Sequence, residues 1–222
     1  MRVWIVAASV ALAACANVEG AENQPPPFTS AAAANAAAQA LPDFPTSIDL
    51  PAGTYRIDPR HTAVSFRIRH MGLAWFTARF DAEEGTLELD PDDPARSQLA
   101  ARVDASSVNA GVPGEAAFDR QIANAIGAAR SPQITFTSTA IERTGEHTAR
   151  VTGDLSMNGQ THPAILEATF LGAAVDPLRG GSTVLGFTAY GEIDRTQWGV
   201  TQWGAFAGPE VQIVVEAEFV KA

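Results

Sequence analysis

Apolar and polar residues alternate along most of the chain beyond residue 52, which is the pattern of β-strands that bury one face. The alternation is clearest in residues 148–171, where two such runs are joined by Asn158-Gly159, a dipeptide that favours a two-residue hairpin turn. One parity of both runs is apolar and consists of Val151, Leu155, Met157, Ala164, Leu166, Ala168 and Phe170. The segment predicts a β-hairpin that other strands must cover, since an isolated hairpin is marginal in water.

Similar alternation predicts strands on both sides of this hairpin. The expected strands cover residues 62–70, 73–80, 86–89, 97–108, 134–140, 183–194 and 211–219. Residues 113–130 instead place apolar side chains three and four positions apart, which indicates one or two short helices. We therefore predict an all-β fold, an extended antiparallel β-barrel of about eight strands with a short helical insertion, because closure removes exposed strand edges.

The interior of such a barrel is the functional question. A barrel of about eight strands has room for packed side chains or for one small ligand. Several of the expected strands run to ten residues or more, longer than the usual five or six, which predicts a tall barrel with space for an elongated guest. A β-sandwich with a packed core is the alternative, because parity separates two faces without saying which is inside.

The first residues predict a signal for export. Arg2 precedes an apolar run that is too short for a transmembrane helix of about 20 residues, so residues 1–14 are interpreted as a signal peptide. The run ends in Leu-Ala-Ala before Cys15, which resembles the bacterial lipobox, and Cys15 is therefore expected to carry lipid. The alternative is an ordinary signal peptide beside a chance cysteine. Ala16, in place of Asp, favours the outer membrane by resemblance to enteric lipoproteins.

Two further segments complete the predicted organisation. Residues 15–52 are rich in Ala, Pro, Asn and Gln, and such a composition cannot bury enough apolar surface to offset its ordering entropy. We interpret them as a disordered tether between the lipid anchor and the folded domain, residues 53–222. The predicted location is the periplasmic side of a bacterial cell envelope, anchored to the outer membrane.

Charge and chemistry narrow the function further. The formal net charge of −10 argues against nucleic acid as a partner, because phosphate binding requires a basic patch. There is no Gly-x-Ser-x-Gly motif and no phosphate-cradling glycine loop, so no catalytic residue and no cofactor other than a bound lipid is predicted. His61 and His70 are nine apart with opposite parity, so no metal site is expected. We expect His61 to bond the backbone, and Asp58 and Asp194 to form turns.

Four motifs in the same order resemble the YceI-like family and together span nearly all of residues 53–222. They begin at Tyr55, Ser131, Gly153 and Asp194 and read YRIDPRHTAVSF, SPQITFTS, GDLSMNGQTHP and DRTQWG. The chain departs from the family in the insertion, where the expected Arg-Asp-x-x-Leu is Phe-Asp-Arg-Gln-Ile and an aromatic-rich stretch is replaced by Ala-Asn-Ala-Ile-Gly. This resemblance implies a lipocalin-like barrel whose apolar cavity binds a long isoprenoid or similar lipid.

The apolar cavity that the resemblance implies suggests which residues bind the ligand. The apolar candidates are Phe66, Ile68, Phe76, Phe80, Phe136, Leu155, Phe170 and Phe187, together with Trp75. Burial of each methylene group stabilises a complex by about 0.8 kcal/mol, so such a wall needs no charged contact. Arg195 and Trp198 are expected at the mouth, where the arginine could donate to a polar head such as a quinone. In the alternative, Arg195 stacks on Trp198 and closes the barrel end.

The predicted function is therefore a binding protein that carries or stores a polyisoprenoid or related long-chain lipid. One alternative is a lipid-modifying enzyme, a cyclase or isomerase, which predicts titratable groups inside the cavity. Another is a packed structural domain, which predicts no cavity. The sequence leaves open whether the protein forms a homodimer.

Overall fold

A computed structural model describes residues 50–222 of the chain. The predicted signal peptide, Cys15 and nearly all of the predicted tether lie outside the described residues. Within residues 50–222, no helix is long and apolar enough to cross a bilayer.

The described part of the chain forms eleven β-strands and one α-helix. The strands are β1 (Gly53–Ile57), β2 (Ala63–His70), β3 (Ala74–Phe80), β4 (Glu83–Leu89), β5 (Gln98–Asp104), β6 (Val108–Asn109), β7 (Gln133–Arg143), β8 (Thr148–Met157), β9 (Gln160–Asp176), β10 (Ser182–Asp194) and β11 (Ala207–Lys221). The helix α1 (Ala116–Ala125) lies between β6 and β7, inside the region predicted to be helical.

All strand pairs are antiparallel, and eight strands close into a barrel in the order β1-β4-β5-β7-β8-β9-β10-β11, with β11 pairing back to β1. Along the other part of β11, β2 takes the place of β1 and continues the sheet to β3 and β6. β1 and β2 thus share the length of β11, and β3 and β6 extend the sheet beyond β2, which is why eleven strands give an eight-stranded barrel. The extended antiparallel barrel is confirmed.

The central hairpin forms as predicted. Met157 of β8 pairs with Gln160 of β9, so the turn contains the two residues between them. These residues, Asn158 and Gly159, have positive φ angles of 52° and 75°, as a type I′ turn requires. Asn158 is also buried, and its side-chain amide donates to the carbonyl oxygen of Trp198 at 2.9 Å. The hairpin tip is therefore held against the loop that follows β10.

Several predicted strand limits differ from the structure, and two of them were wrong for clear local reasons. The strand expected over residues 97–108 ends at Asp104, whose carboxylate accepts a hydrogen bond of 2.7 Å from the backbone N–H of Ser106 and starts a 3₁₀ turn. The strand expected over residues 86–89 begins earlier, at Glu83, because its edge continues to pair with β5 as far as Val103. This earlier start brings Glu83 onto the inner face of the barrel.

Three apolar clusters surround the barrel interior. One packs α1, through Ile122 and Ala123, against Phe80 and Val103. A second contains Phe136 and residues of the central hairpin, and a third contains Tyr55, Leu185 and Phe219. A large space remains between them, so the alternative of a fully packed sandwich is wrong.

Candidate functional site

The barrel encloses a cavity of about 860 Å³, within the range of about 300–1,000 Å³ that is usual for small-molecule sites. Its wall is formed by the apolar faces of the strands. Alternate residues of β8, β9, β10 and β11 face the cavity, and the intervening residues face outward. At one end, Phe118, Ile122 and Ile126 of the helical insertion also line it. The insertion therefore contributes to the wall as well as to the fold.

Eight of the nine apolar candidates lie in the cavity wall: Phe66, Ile68, Phe76, Phe80, Phe136, Leu155, Phe170 and Phe187. Several of the aromatic rings contact one another. The ring centres of Phe66 and Phe80 are 5.7 Å apart, and those of Phe170 and Phe187 are 5.3 Å apart. Ligand contact by these residues stays a prediction, but the wall they form is apolar and aromatic.

Trp75 lies on the opposite, outer face of β3, and its expected place in the cavity wall was wrong. The guanidinium carbons of Arg67 and Arg69 are 4.6 and 5.0 Å from the centre of its ring. Residues 73–80 are apolar on both parities, so the periodicity of this strand alone could not assign its faces. The pairing of Trp75 with Arg69 of β2, whose alternation is clear, places the ring outside.

Arg195 touches the cavity wall but is mainly a structural tie. Its side chain is only 5% exposed, and its guanidinium donates to four main-chain carbonyl oxygens. The acceptors and distances are Val200 at 2.6 Å, Gly208 and Ala207 at 2.8 Å, and Gln202 at 3.0 Å. Burial lowers the pKa of Arg195, and Asp194 opposes this effect. These bonds tie the end of β10 to the following loop and to the start of β11, whereas the alternative interpretation had Arg195 stack on Trp198.

Trp198 is 1% exposed and does not line the cavity. Its indole N–H donates to the carbonyl oxygen of Leu155 at 2.9 Å, and its ring meets that of His162 edge-on with centres 5.1 Å apart. Trp198 therefore packs with Leu155 and the neighbouring wall residues Met157 and Ala164. Its predicted contact with a ligand head has no support in this position.

Glu83 is the feature of the cavity that the sequence did not reveal. Its side chain lines the cavity and is 9% exposed, and among residues 50–222 its Oε2 atom has no hydrogen-bond partner. Burial raises the pKa of Glu83, Asp81 raises it further, and Arg79 opposes the shift. In the sequence, Glu83 shares the parity of Leu87 and Leu89, which would have placed it on the inner face. The strand was expected to begin only at residue 86, so Glu83 was not considered.

A second polar cluster lies around Asp58, and it corrects the prediction for His61. The Nδ1 atom of His61 is 2.5 Å from Oδ2 of Asp58 and 3.4 Å from Oε2 of Glu218, so the ring contacts carboxylates and not the backbone. Asp58 also forms the expected turn, since its Oδ1 accepts from the N–H of Arg60 at 3.1 Å. Arg179 donates to the same Oδ2 atom.

The cluster around Asp58 contains side chains that could bind a metal ion, but the cation that it holds is the guanidinium of Arg179. Ligand atoms of Asp58, His61 and Glu218 lie within 4.8 Å of one another. The guanidinium of Arg179 already neutralises Asp58. Although burial of Asp58 opposes ionisation, hydrogen bonds from His61, Arg60 and Arg179 lower its pKa below the usual range. The cluster is therefore an ion-pair network that joins β1, β11 and the turn after β9.

The sequence profile of the YceI-like domain matches residues 55–219 of the chain. Protein YceI of Salmonella arizonae is 32% identical over 174 residues, which make up 77% of this chain and 88% of the relative. Protein YceI of Salmonella paratyphi B matches to the same extent.

Solved structures share the fold. BcnA of Burkholderia cenocepacia superposes with a TM-score of 0.61 at 22% identity, covering 73% of this chain and 98% of that one. The YceI protein of Campylobacter jejuni gives 0.57 at 21% identity, with coverages of 70% and 90%. A polyisoprenoid-binding domain from Saccharophagus degradans gives 0.54 at 12% identity, with coverages of 78% and 100%. With a matching profile over most of its length and relatives above 30% identity, this chain belongs to the YceI-like domain family.

Proposed function

We propose that this protein binds a long apolar lipid of the polyisoprenoid class, quinone-like or related, inside the barrel and serves as its carrier or store. The observation that carries the proposal is the cavity of about 860 Å³ with its apolar, aromatic wall. Each methylene or equivalent group moved from water into this wall gains about 0.8 kcal/mol, so a chain of several isoprene units binds without charged contacts. The fold shared with the polyisoprenoid-binding domain of Saccharophagus degradans supports the same ligand class.

The proposed location is the periplasmic side of a bacterial envelope, with the barrel attached to the outer membrane through lipid on Cys15. The sequence before Cys15 supports this location. A membrane anchor would keep the cavity within reach of the bilayer in which such lipids dissolve. Mass spectrometry of the mature N-terminus tests the anchor, and a peptide with an unmodified Cys15 would contradict it.

The binding proposal is tested by extracting lipid from protein purified from its own membrane fraction and quantifying it by mass spectrometry. Wild type should carry nearly one lipid per chain. Ala168 lies in the cavity wall on β9, and Ala168→Phe should fill part of the space and lower the bound fraction. Ile165 faces outward on the same strand, so Ile165→Phe is the matched control and should resemble wild type. Wild type without bound lipid would refute the proposal.

A lipid-modifying enzyme is the second candidate, and buried Glu83 is the observation that favours it. An acid inside an apolar cavity is the kind of group that a cyclase or isomerase would use. Incubation of the protein with a bound isoprenoid, followed by chromatography of the extracted lipid, distinguishes the two functions. A carrier returns the lipid unchanged, whereas an enzyme returns a product that disappears in Glu83→Gln.

A further inference from the structure

Glu83 occupies a wall position that apolar residues hold elsewhere in the cavity. It shares the inward parity of β4 with Leu87 and Leu89, and its backbone partner across the sheet is Val103 of β5, also a wall residue. Phe80 and Ile122 belong to the apolar cluster around Val103. A carboxyl group therefore stands where packing alone would favour a hydrocarbon side chain.

The protein does not supply this carboxyl with a hydrogen-bond partner. Among the residues described, Oε2 of Glu83 is buried and has no donor or acceptor within hydrogen-bond distance. Nearby cations are engaged elsewhere: Arg79 pairs with Asp81 at 2.8 Å and Arg102 with Glu84 at 2.5 Å. A buried polar atom without a partner costs about 1–3 kcal/mol, so its retention calls for an explanation.

A ligand in the cavity can supply the missing partner. Burial favours the neutral acid form of Glu83, which offers one O–H donor and a carbonyl acceptor. A hydroxyl or carbonyl oxygen at the end of an apolar chain would match these atoms. A phosphate would fit less well, because its charge would lose water in the apolar wall. The arginines that line the cavity, Arg102, Arg143 and Arg195, already bond protein oxygens.

We propose that Glu83 binds the polar end of the lipid and selects an uncharged oxygenated head group, the hydroxyl of a prenyl alcohol or the carbonyl of a quinone, over a prenyl phosphate. The isoprenoid chain then lies along the apolar wall. This inference rests on the proposed lipid-binding function and adds the head-group class to it.

The test compares three ligands of the same chain length: geranylgeraniol, geranylgeranyl phosphate and the hydrocarbon phytane. Each displaces a fluorescent long-chain lipid from wild type, Glu83→Leu, Glu83→Gln and Glu88→Leu. Glu88 lies on the same strand but is exposed and absent from the cavity wall, so Glu88→Leu is the matched control. Thermal unfolding of each variant confirms that it is folded.

Wild type should bind the alcohol more tightly than the phosphate. Glu83→Leu should weaken alcohol binding by about 3- to 10-fold, the usual contribution of one hydrogen bond, and leave phytane unchanged or tighter. Glu83→Gln keeps a donor and an acceptor, so its affinity for the alcohol should stay within about 3-fold of wild type. Glu88→Leu should match wild type with all three ligands.

The outcomes separate this inference from the function on which it rests. Equal alcohol binding by wild type and Glu83→Leu, or phosphate bound as tightly as alcohol by wild type, would overturn the role of Glu83 while lipid binding stands. Failure of all three ligands to displace the probe from wild type would overturn both.

Discussion

Replacement of Arg195 by leucine should destabilise the barrel strongly, because this one side chain bonds four main-chain oxygens at the end of β10. The bond to Val200 is fully buried, and the other three are partly buried. A carbonyl left unpaired in a buried site costs about 1–3 kcal/mol, and partly buried ones cost less because water reaches them. We expect Arg195→Leu to lose about 3–5 kcal/mol of unfolding free energy.

Thermal unfolding followed by circular dichroism measures this loss. For a domain of this size, 1 kcal/mol shifts Tm by about 2–4 °C, so Arg195→Leu should unfold roughly 10 °C below wild type. Arg195→Lys keeps the charge but offers a single ammonium group in place of the planar guanidinium, and it should lose about half as much. Arg96, which is 67% exposed and forms surface ion pairs, provides the control: Arg96→Leu should change stability by less than about 1 kcal/mol.

The refuting results for Arg195 are specific. If Arg195→Lys is as stable as wild type, the guanidinium geometry is irrelevant, and a general charge effect replaces the hydrogen-bond account. If folded Arg195→Lys loses lipid binding without losing stability, Arg195 contacts the ligand head as the sequence suggested, and the structural tie is the wrong interpretation.

Three other predictions concern Asp58 in the ion-pair network, Glu83 in the cavity wall and Gly127 beside the hairpin tip. Ionised Asp58 stabilises the wild-type fold above pH 3.8, the usual pKa of the group, and this stability is lost as the pH falls through the lowered pKa of the folded state. Asp58→Asn should lack this contribution. Glu83 has the opposite effect: wild type should lose stability as the pH rises from 4.5 through the raised pKa of the folded state. Glu83→Gln should lack this loss. Gly127→Ala should cost about 2 kcal/mol, because φ is +87° and an added Cβ would overlap the side chain of Asn158.

Urea unfolding at a series of pH values checks the first two of these predictions, and identical pH profiles for wild type and variant would contradict either one. For the third, Gly111→Ala is the control, since Gly111 has a similar φ of +70° but nothing within 4 Å of an added Cβ. If both alanine variants lose the same stability, backbone strain explains the effect and the contact with Asn158 contributes nothing.

Parity along single strands separated the two faces of the barrel wall, and the resemblance to a family with an apolar cavity indicated which face is inside. Strands such as β2 and β11 have one apolar and one polar face, so their inner residues, including Phe66 and Ile68, could be named from the sequence. Trp75 was misplaced because its strand is apolar on both faces. Its side was decided by pairing with β2, which is information that a single strand does not contain.

The polar groups could not be predicted because their partners are distant in the chain. Asp58 and Arg179 are 121 residues apart, and they meet only because the end of β1 and the turn after β9 reach the same end of the barrel. Glu83 presents the reverse case. A glutamate near a turn normally faces water, and only the pairing of β4 with β5 showed that this one is enclosed.

The pairing of β11 with both β1 and β2 also determines when the cavity is enclosed during folding. Within residues 50–222, the last strand joins the first two, so the seam of the barrel stays open until β11 has docked. Contacts between such distant segments form slowly, because a long loop must close before they contribute any stability. Until β11 has docked, the interior is open along this seam, so the docking of β11, and not that of any inner strand, is the step that encloses the cavity.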